Sequence, residues 1–194
     1  MWQAIAQARR IGEGDEKISI EVILHIHRII FAGAIPEIAG RFRVEGEDVK
    51  KLKCHEPPPG RVVREQMHVF WKELDVKLAK LSRQPKKQTR TQRKSWLASI
   101  IEVAAWVQHQ ISYIHPFCEG NGRMARLMTN LILSRFELPP SRVKYEGENK
   151  AEYLLALCQI DNHGDYGPLK QLISISVIEA YKKEKLIRLK NTKA

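Results

Sequence analysis

His115-Pro116-Phe117-Cys118-Glu119-Gly120-Asn121-Gly122-Arg123-Met124-Ala125-Arg126 is the junction between two helical patterns. Upstream, Leu97, Ile100, Ala104, Val107, Ile111 and Ile114 recur at the spacing of one helix face. Downstream, Met124, Met128 and Leu131 begin a second stripe, which Pro139-Pro140 stops. Pro116 disfavours helical backbone at the residue before it, so His115 is expected on a loop entered directly from a rigid helix.

The same segment carries a set of chemical groups. Two glycines beside Asn121 at a helix start suit a turn of converging backbone N–H groups, and such a turn on a helix N-terminus is an anion site. Arg123 and Arg126, three apart, share one face of that helix, and two guanidiniums above an N–H cradle suit a polyphosphate. Glu119 sits at the mouth of the turn. A carboxylate beside a phosphate cradle is repelled unless a hard cation lies between them, and Mg²⁺ favours one or two carboxylates with phosphate oxygens. His115 can take a proton near neutral pH. Base, metal ligand, anion turn and paired arginines are the inventory for attack on a nucleotide phosphate. Glu119 could instead serve only as a favourable charge at a helix start. Cys118 reads as a variable filler.

Working outward, the chain reads as a run of helices. Ser19 is an N-cap for a helix carrying Ile20, Ile23, Ile26 and Ile30. His25 and His27 on it face different directions, which speaks against joint metal binding. Met67, Phe70, Leu74, Leu78 and Leu81 form another stripe; Tyr153, Leu154, Leu157 and Ile160 a third; Leu169, Leu172, Ile173 and Val177 a fourth, with Gly164 separating the last two. Phe42 to Pro59 breaks the pattern and ends in Pro57-Pro58-Pro59, which excludes helix. We read it as a long loop containing a short hairpin, of the length that is often functional. Trp2, Trp71, Trp96 and Trp106 read as packing residues.

The chain has 194 residues and 43% hydrophobic residues, which suits one globular domain. No apolar run approaches the ~20 residues of a membrane span, and no secretory signal precedes residue 10. Cys54, Cys118 and Cys158 are few, scattered and odd in number, so a disulfide framework is not expected and a cytoplasmic setting is. The net charge of +11 gathers at residues 83–94 and 182–193. Neither cluster interleaves the aromatics of a base-stacking surface. A basic nucleic-acid-binding module would leave His115 and Glu119 without purpose, so nucleic acid is expected only through a separate domain.

The central segment resembles the signature of the Fic family, His-x-Phe-x-(Asp/Glu)-Gly-Asn-Gly-Arg-x-x-Arg, with every specified position filled. Ala39-Gly40-Arg41-Phe42-Arg43 with the later prolines resembles the stretch carrying the Fic flap, and Glu152-Tyr153-Leu154 with Gly164-Asp165-Tyr166 the following helices. The resemblance implies an all-α bundle with a short β-hairpin flap near the active site: an N-terminal helical extension at 1–18, the Fic core at 19–181 and a basic tail at 182–194 that frays. It implies a nucleotidyltransferase that moves AMP from Mg-ATP to a hydroxyl side chain of a target protein, including its own chain. His115 would be the general base and Glu119 the Mg²⁺ ligand. The amides of Gly120, Asn121 and Gly122 would cradle the phosphates, with Arg123; Arg126 would hold the γ-phosphate; Phe117 would plug into the core. The target would pair with the flap near Lys53, Cys54, His55 and Glu56 by strand addition, and Tyr153, Leu154 and Asn162 would contact adenosine, Tyr153 being equally readable as core packing.

Many relatives carry an inhibitory Ser/Thr-x-x-x-Glu-Gly/Asn motif whose glutamate pairs with the second arginine, here Arg126. The residues four before each candidate glutamate are Arg9, Arg41, His115, Arg142 and Lys144, none of them Ser or Thr. A small partner supplying the helix in trans, as in toxin–antitoxin pairs, a segment removed from the N-terminus, or regulation of another kind would account for this, and we favour the removed segment. Another nucleotide donor, UTP or GTP, is the alternative chemistry. The phosphate-transferring relatives carry lysine where Gly122 stands, which argues against them. Oligomeric state stays open.

Overall fold

The apolar stripes close into a helical bundle in the computed structural model, which describes residues 1–14, 17–47, 49, 54–81, 89–142 and 148–191. Among the described residues seven α-helices follow one another: α1 Trp2–Glu13, α2 Ile20–Phe31, α3 Gly60–Lys80, α4 Arg90–Ile114, α5 Asn121–Arg135, α6 Glu148–His163 and α7 Gly167–Asn191. One 3₁₀ turn, Pro36–Ile38, follows α2. Ser19 does stand at the N-cap of α2 with extended backbone, although its hydroxyl bonds no helix amide. Thr89 caps α4 through a reciprocal box with Gln92, at 3.2 and 2.9 Å.

α4 and α5 form the centre. Ile100, Ala104, Val107 and Ile111 of α4 and Met124, Met128, Leu131 and Ile132 of α5 are fully buried. Gln108 and Thr129, both buried, add a polar link at 3.0 Å between the two helices. α1 packs on α5, α3 and α7 on α4, and α6 on α7. Arg135 ties α5 to the C-terminal end of α1 by donating to the Ile11 carbonyl at 2.9 Å. Trp71 is buried, but Trp2 is 85% exposed and is no packing residue. α7 continues through Asn191 without a break at Tyr181.

The segment between α2 and α3 is closed at its base. The chain before α3 lies against the backbone of Val44 so closely that a Cβ on Gly60 would stand about 2 Å from the Val44 carbonyl oxygen, so only glycine fits there. Described residues 42–47, 49 and 54–59 contain no strand, so the expected β-hairpin is not seen among them; residues 48 and 50–53, Lys53 included, lie outside the description.

The cysteine expectation needs correcting. Cys54 and Cys158 form a disulfide, Cα–Cα 5.4 Å, while Cys118 is a free thiol. The bridge spans 104 residues, so no local spacing announces it; the fold brings residue 54 against α6. Alkylation of the protein unfolded without reductant is expected to label Cys118 alone. Labelling of all three cysteines would show the pair open.

Candidate active site

His115 ends α4 in the left-handed region, φ 51°, ψ 58°. A non-glycine residue there is uncommon and persists only where its surroundings over-determine it. The tethers are visible: the His115 amide donates to Ile111 O at 3.1 Å, and ring Nδ1 lies 3.0 Å from Ser112 O. A carbonyl can only accept, so Nδ1 carries the proton and Nε2 holds the basic lone pair. Burial chiefly pushes the imidazole pKa below its ordinary value. The Ser112 carbonyl and Glu119 pull it upward, while Arg43 and His55 press it further down. The ring is therefore neutral at physiological pH and can accept a proton.

A tight loop connects this base to α5. Asn121 Oδ1 accepts from the Phe117 amide at 2.9 Å and its Nδ2 donates to Phe117 O at 2.7 Å. The Asn121 side chain is spent on closing the loop, and only its amide remains for a ligand. Gly120, φ 84°, turns the chain into α5; a Cβ there would meet the Phe31 ring at about 2.5 Å. Glu119 Oε1 accepts from the Gly120 amide at 2.8 Å and faces Arg123 Nη2 at 3.3 Å. The Arg123 guanidinium also stacks on Phe31, 4.6 Å from the ring centre. Arg126, one turn on, lies on the same side of α5, its Nη1 about 3.4 Å from a Cβ placed on Gly122.

Phe117 is fully buried. It stacks on His27, ring centres 3.9 Å apart and planes within 6°, and meets Phe42 at 5.6 Å. His27 is an unforeseen structural member of the site. Its Nδ1 accepts from the Gly40 amide at 3.0 Å, which fixes the proton on Nε2, and Nε2 donates to Glu119 O at 3.1 Å. The sequence signal was there: residue 27 lies four after Ile23 on the apolar stripe, where a polar ring is usually buried and bonded.

The other expected residues are placed differently. His55 stacks on Tyr113 at 3.9 Å and donates to Tyr113 O at 2.9 Å, and Cys54 is bridged to α6. The start of the described 54–59 segment is thus pinned to α4 and α6, with Glu56 exposed. Tyr153 is buried, its hydroxyl 3.5 Å from Ser112 Oγ, so its ring faces the core; Leu154 is half-buried and Asn162 exposed. Sequence reading also passed over His109, buried between Asp161 at 2.9 Å and Tyr166 at 3.2 Å. Cys118, at a variable motif position, is joined to the network around Glu47, whose carboxyl the Arg41 guanidinium holds down to about 2.

Burial lowers the pKa of His27, His109 and His115 alike, and for His109 it outweighs the Asp161 carboxylate. All three are depressed from an ordinary value near 6.5. The unfolded chain therefore binds more protons below that pH, so the stability they contribute is complete above about 6.5 and lost as pH falls toward their folded values. Melting temperature is expected to drop between pH 7 and 5. A flat profile would contradict neutral burial of these rings.

Among the described residues no group of three or more His, Cys, Asp or Glu side chains gathers as a metal cage. A lone carboxylate beside an amide turn nevertheless suits Mg²⁺, which takes most of its ligands from phosphate and water. The Gly120 amide and Arg123 both meet Glu119 at Oε1, and a carboxylate oxygen is a hard donor. Among the described residues no helix is long and apolar enough to cross a membrane.

The sequence pattern of the Fic/DOC family matches residues 17–133. A Nematostella vectensis protein named protein adenylyltransferase Fic is 34% identical over 82% of this chain and 32% of its own. The Caenorhabditis elegans protein adenylyltransferase fic-1 is 32% identical over 84% of this chain and 28% of its own. The solved structure of C. elegans Fic-1, residues 134–508, superposes with a TM-score of 0.65 at 27% identity, covering 98% of this chain and 51% of that one. The chain thus spans about a third of the length of these curated relatives.

Proposed function

This chain belongs to the Fic/DOC family, and from that membership we propose that it is a protein adenylyltransferase, moving AMP from ATP to a Ser, Thr or Tyr hydroxyl of a target protein or of itself. One observation carries the reading. A histidine with its proton held on Nδ1 and Nε2 left basic stands on the same closed loop as Glu119 and the N-terminal amides of α5.

Nε2 of His115 takes the proton of the target hydroxyl as its oxygen attacks the α-phosphorus. The new O–P bond forms while the bond to the bridging oxygen breaks, and pyrophosphate leaves. Amides at the start of α5, with Arg123 and Arg126, bear the phosphate charge. Mg²⁺ held by Glu119 would supply charge neutralisation on the phosphates. Arg126, as γ-phosphate ligand, would determine binding more than chemistry. Arg126→Ala is expected to weaken ATP binding at least tenfold in calorimetry, about 1.4 kcal/mol or more; unchanged affinity would remove that role.

The stretch 42–59, including Lys53, Cys54, His55 and Glu56, is the flap we favour for docking a target by strand addition. Leu154 and Asn162 are the adenosine contacts we favour. For inhibition we keep a helix supplied in trans by a partner, beside a control of another kind. A cytoplasmic setting would keep Cys54 and Cys158 as thiols, whereas a closed bridge points to an oxidising compartment, and the alkylation assay distinguishes them. Incubation with α-labelled ATP, UTP and GTP tests the donor: label from ATP supports the proposal, and label from UTP or GTP alone would replace it with the alternative.

A further inference from the structure

Arg43 belongs to a stretch that reads as a charged loop, yet it is only 3% exposed. Its guanidinium donates from Nε to His115 O at 2.7 Å. From Nη2 it donates to Pro58 O and to Ile114 O, the latter at 3.3 Å. Its own amide donates to Pro116 O at 2.9 Å. One buried cation therefore joins the end of α4, the loop that carries the base and the last residues before α3. These carbonyls need a donor. The left-handed turn at His115 ends the α4 ladder, and Pro116 has no N–H with which to cap it. A cation at that end also meets the negative pole of the helix dipole.

The His115 tethers described above, its amide and its Nδ1, both return to α4. The bond from Arg43 to its carbonyl comes from a different part of the chain, and it can hold the plane of the peptide entering Pro116. We propose that Arg43 is a positioning residue for the adenylyl transfer proposed above: it locks the left-handed backbone of His115, aims Nε2 and couples that aim to the Pro58 end of the docking flap. The inference rests on that functional reading for its catalytic consequence, but not for its geometry. Electrostatics act in the same direction. After burial and the Ser112 carbonyl, the Arg43 charge bears on the His115 ring together with His55, opposed by Glu119.

Arg43→Ala and Arg43→Lys in the full chain test this. Arg43→Ala is expected to lower kcat on the order of 10²-fold, the cost of a displacement near 1 Å, with KM for ATP little changed. Millimolar guanidinium should restore part of that loss. Arg43→Lys keeps the charge but cannot span three carbonyls, so its kcat should fall less. An NMR titration of the His115 imidazole should show a raised pKa in Arg43→Ala and a near wild-type value in Arg43→Lys. A folded Arg43→Ala with wild-type kcat and an unchanged titration would overturn the proposal. So would a kcat loss that merely follows the melting temperature, with no rescue. If Arg43→Ala does not fold, Arg43→Lys decides: reduced kcat at unchanged KM supports positioning, and wild-type kcat overturns it. If the wild-type chain transfers no nucleotide, the functional reading fails by itself. The titration still decides the inference, since a shift in Arg43→Ala supports it and none overturns it.

Discussion

His115→Ala is expected to bind ATP as the wild type does and to lose AMP transfer, by roughly 10²–10⁴-fold. The separation follows from the geometry. The proposed phosphate-binding groups lie on the α5 side of the loop, whose closure rests on Asn121 and the Phe117 backbone rather than on the His115 ring. The ring's bond to Ser112 O at 3.0 Å orients it without supporting the cradle. Calorimetry with ATP beside a transfer assay reads both quantities. Full transfer by the alanine variant would take the general-base role from His115. A parallel loss of ATP affinity would mean that the ring holds the cradle together.

The second large effect concerns the loop's anchor. Phe117→Ala removes a fully buried ring stacked on His27 and touching Phe42. Phe-to-Ala changes in cores cost about 3–5 kcal/mol, a large share of the 5–15 kcal/mol that holds a typical domain folded. Here the cavity opens beside His27, whose Nε2 fixes the carbonyl of Glu119 at 3.1 Å. ATP binding and transfer should therefore fall together, unlike the His115→Ala result. Denaturant titration measures the stability, and a loss below about 1 kcal/mol would show that the ring is no anchor.

What could be read from the sequence was what is local. The stripe from Leu97 to Ile114, the break at Pro116 and the restart at Asn121 follow from backbone chemistry within a few residues. The helix–loop–helix at the centre of the fold was legible for that reason. His115, Glu119, Arg123 and the glycine turn stand on one continuous segment, so the candidate site can be listed from the sequence alone. The supporting residues were not. His27 reaches Glu119 across 92 positions, Arg43 reaches His115 across 72, and Cys54 meets Cys158 across 104. Such pairs are set by how helices pack, which no single-segment pattern encodes. Trp2 shows the converse: a large apolar residue says nothing by itself about whether a partner covers it. Tyr153 belongs to the helix that was expected, but its rotation turns the ring toward Ser112.

Intact-mass analysis after incubation with Mg-ATP reads the proposed transfer directly, on the chain itself and on candidate hydroxyl-bearing proteins. A gain equal to one AMP per modified site, present with wild-type protein and absent with His115→Ala, is the result expected. Mass gained equally without His115, or a gain of one phosphate in place of AMP, would contradict it.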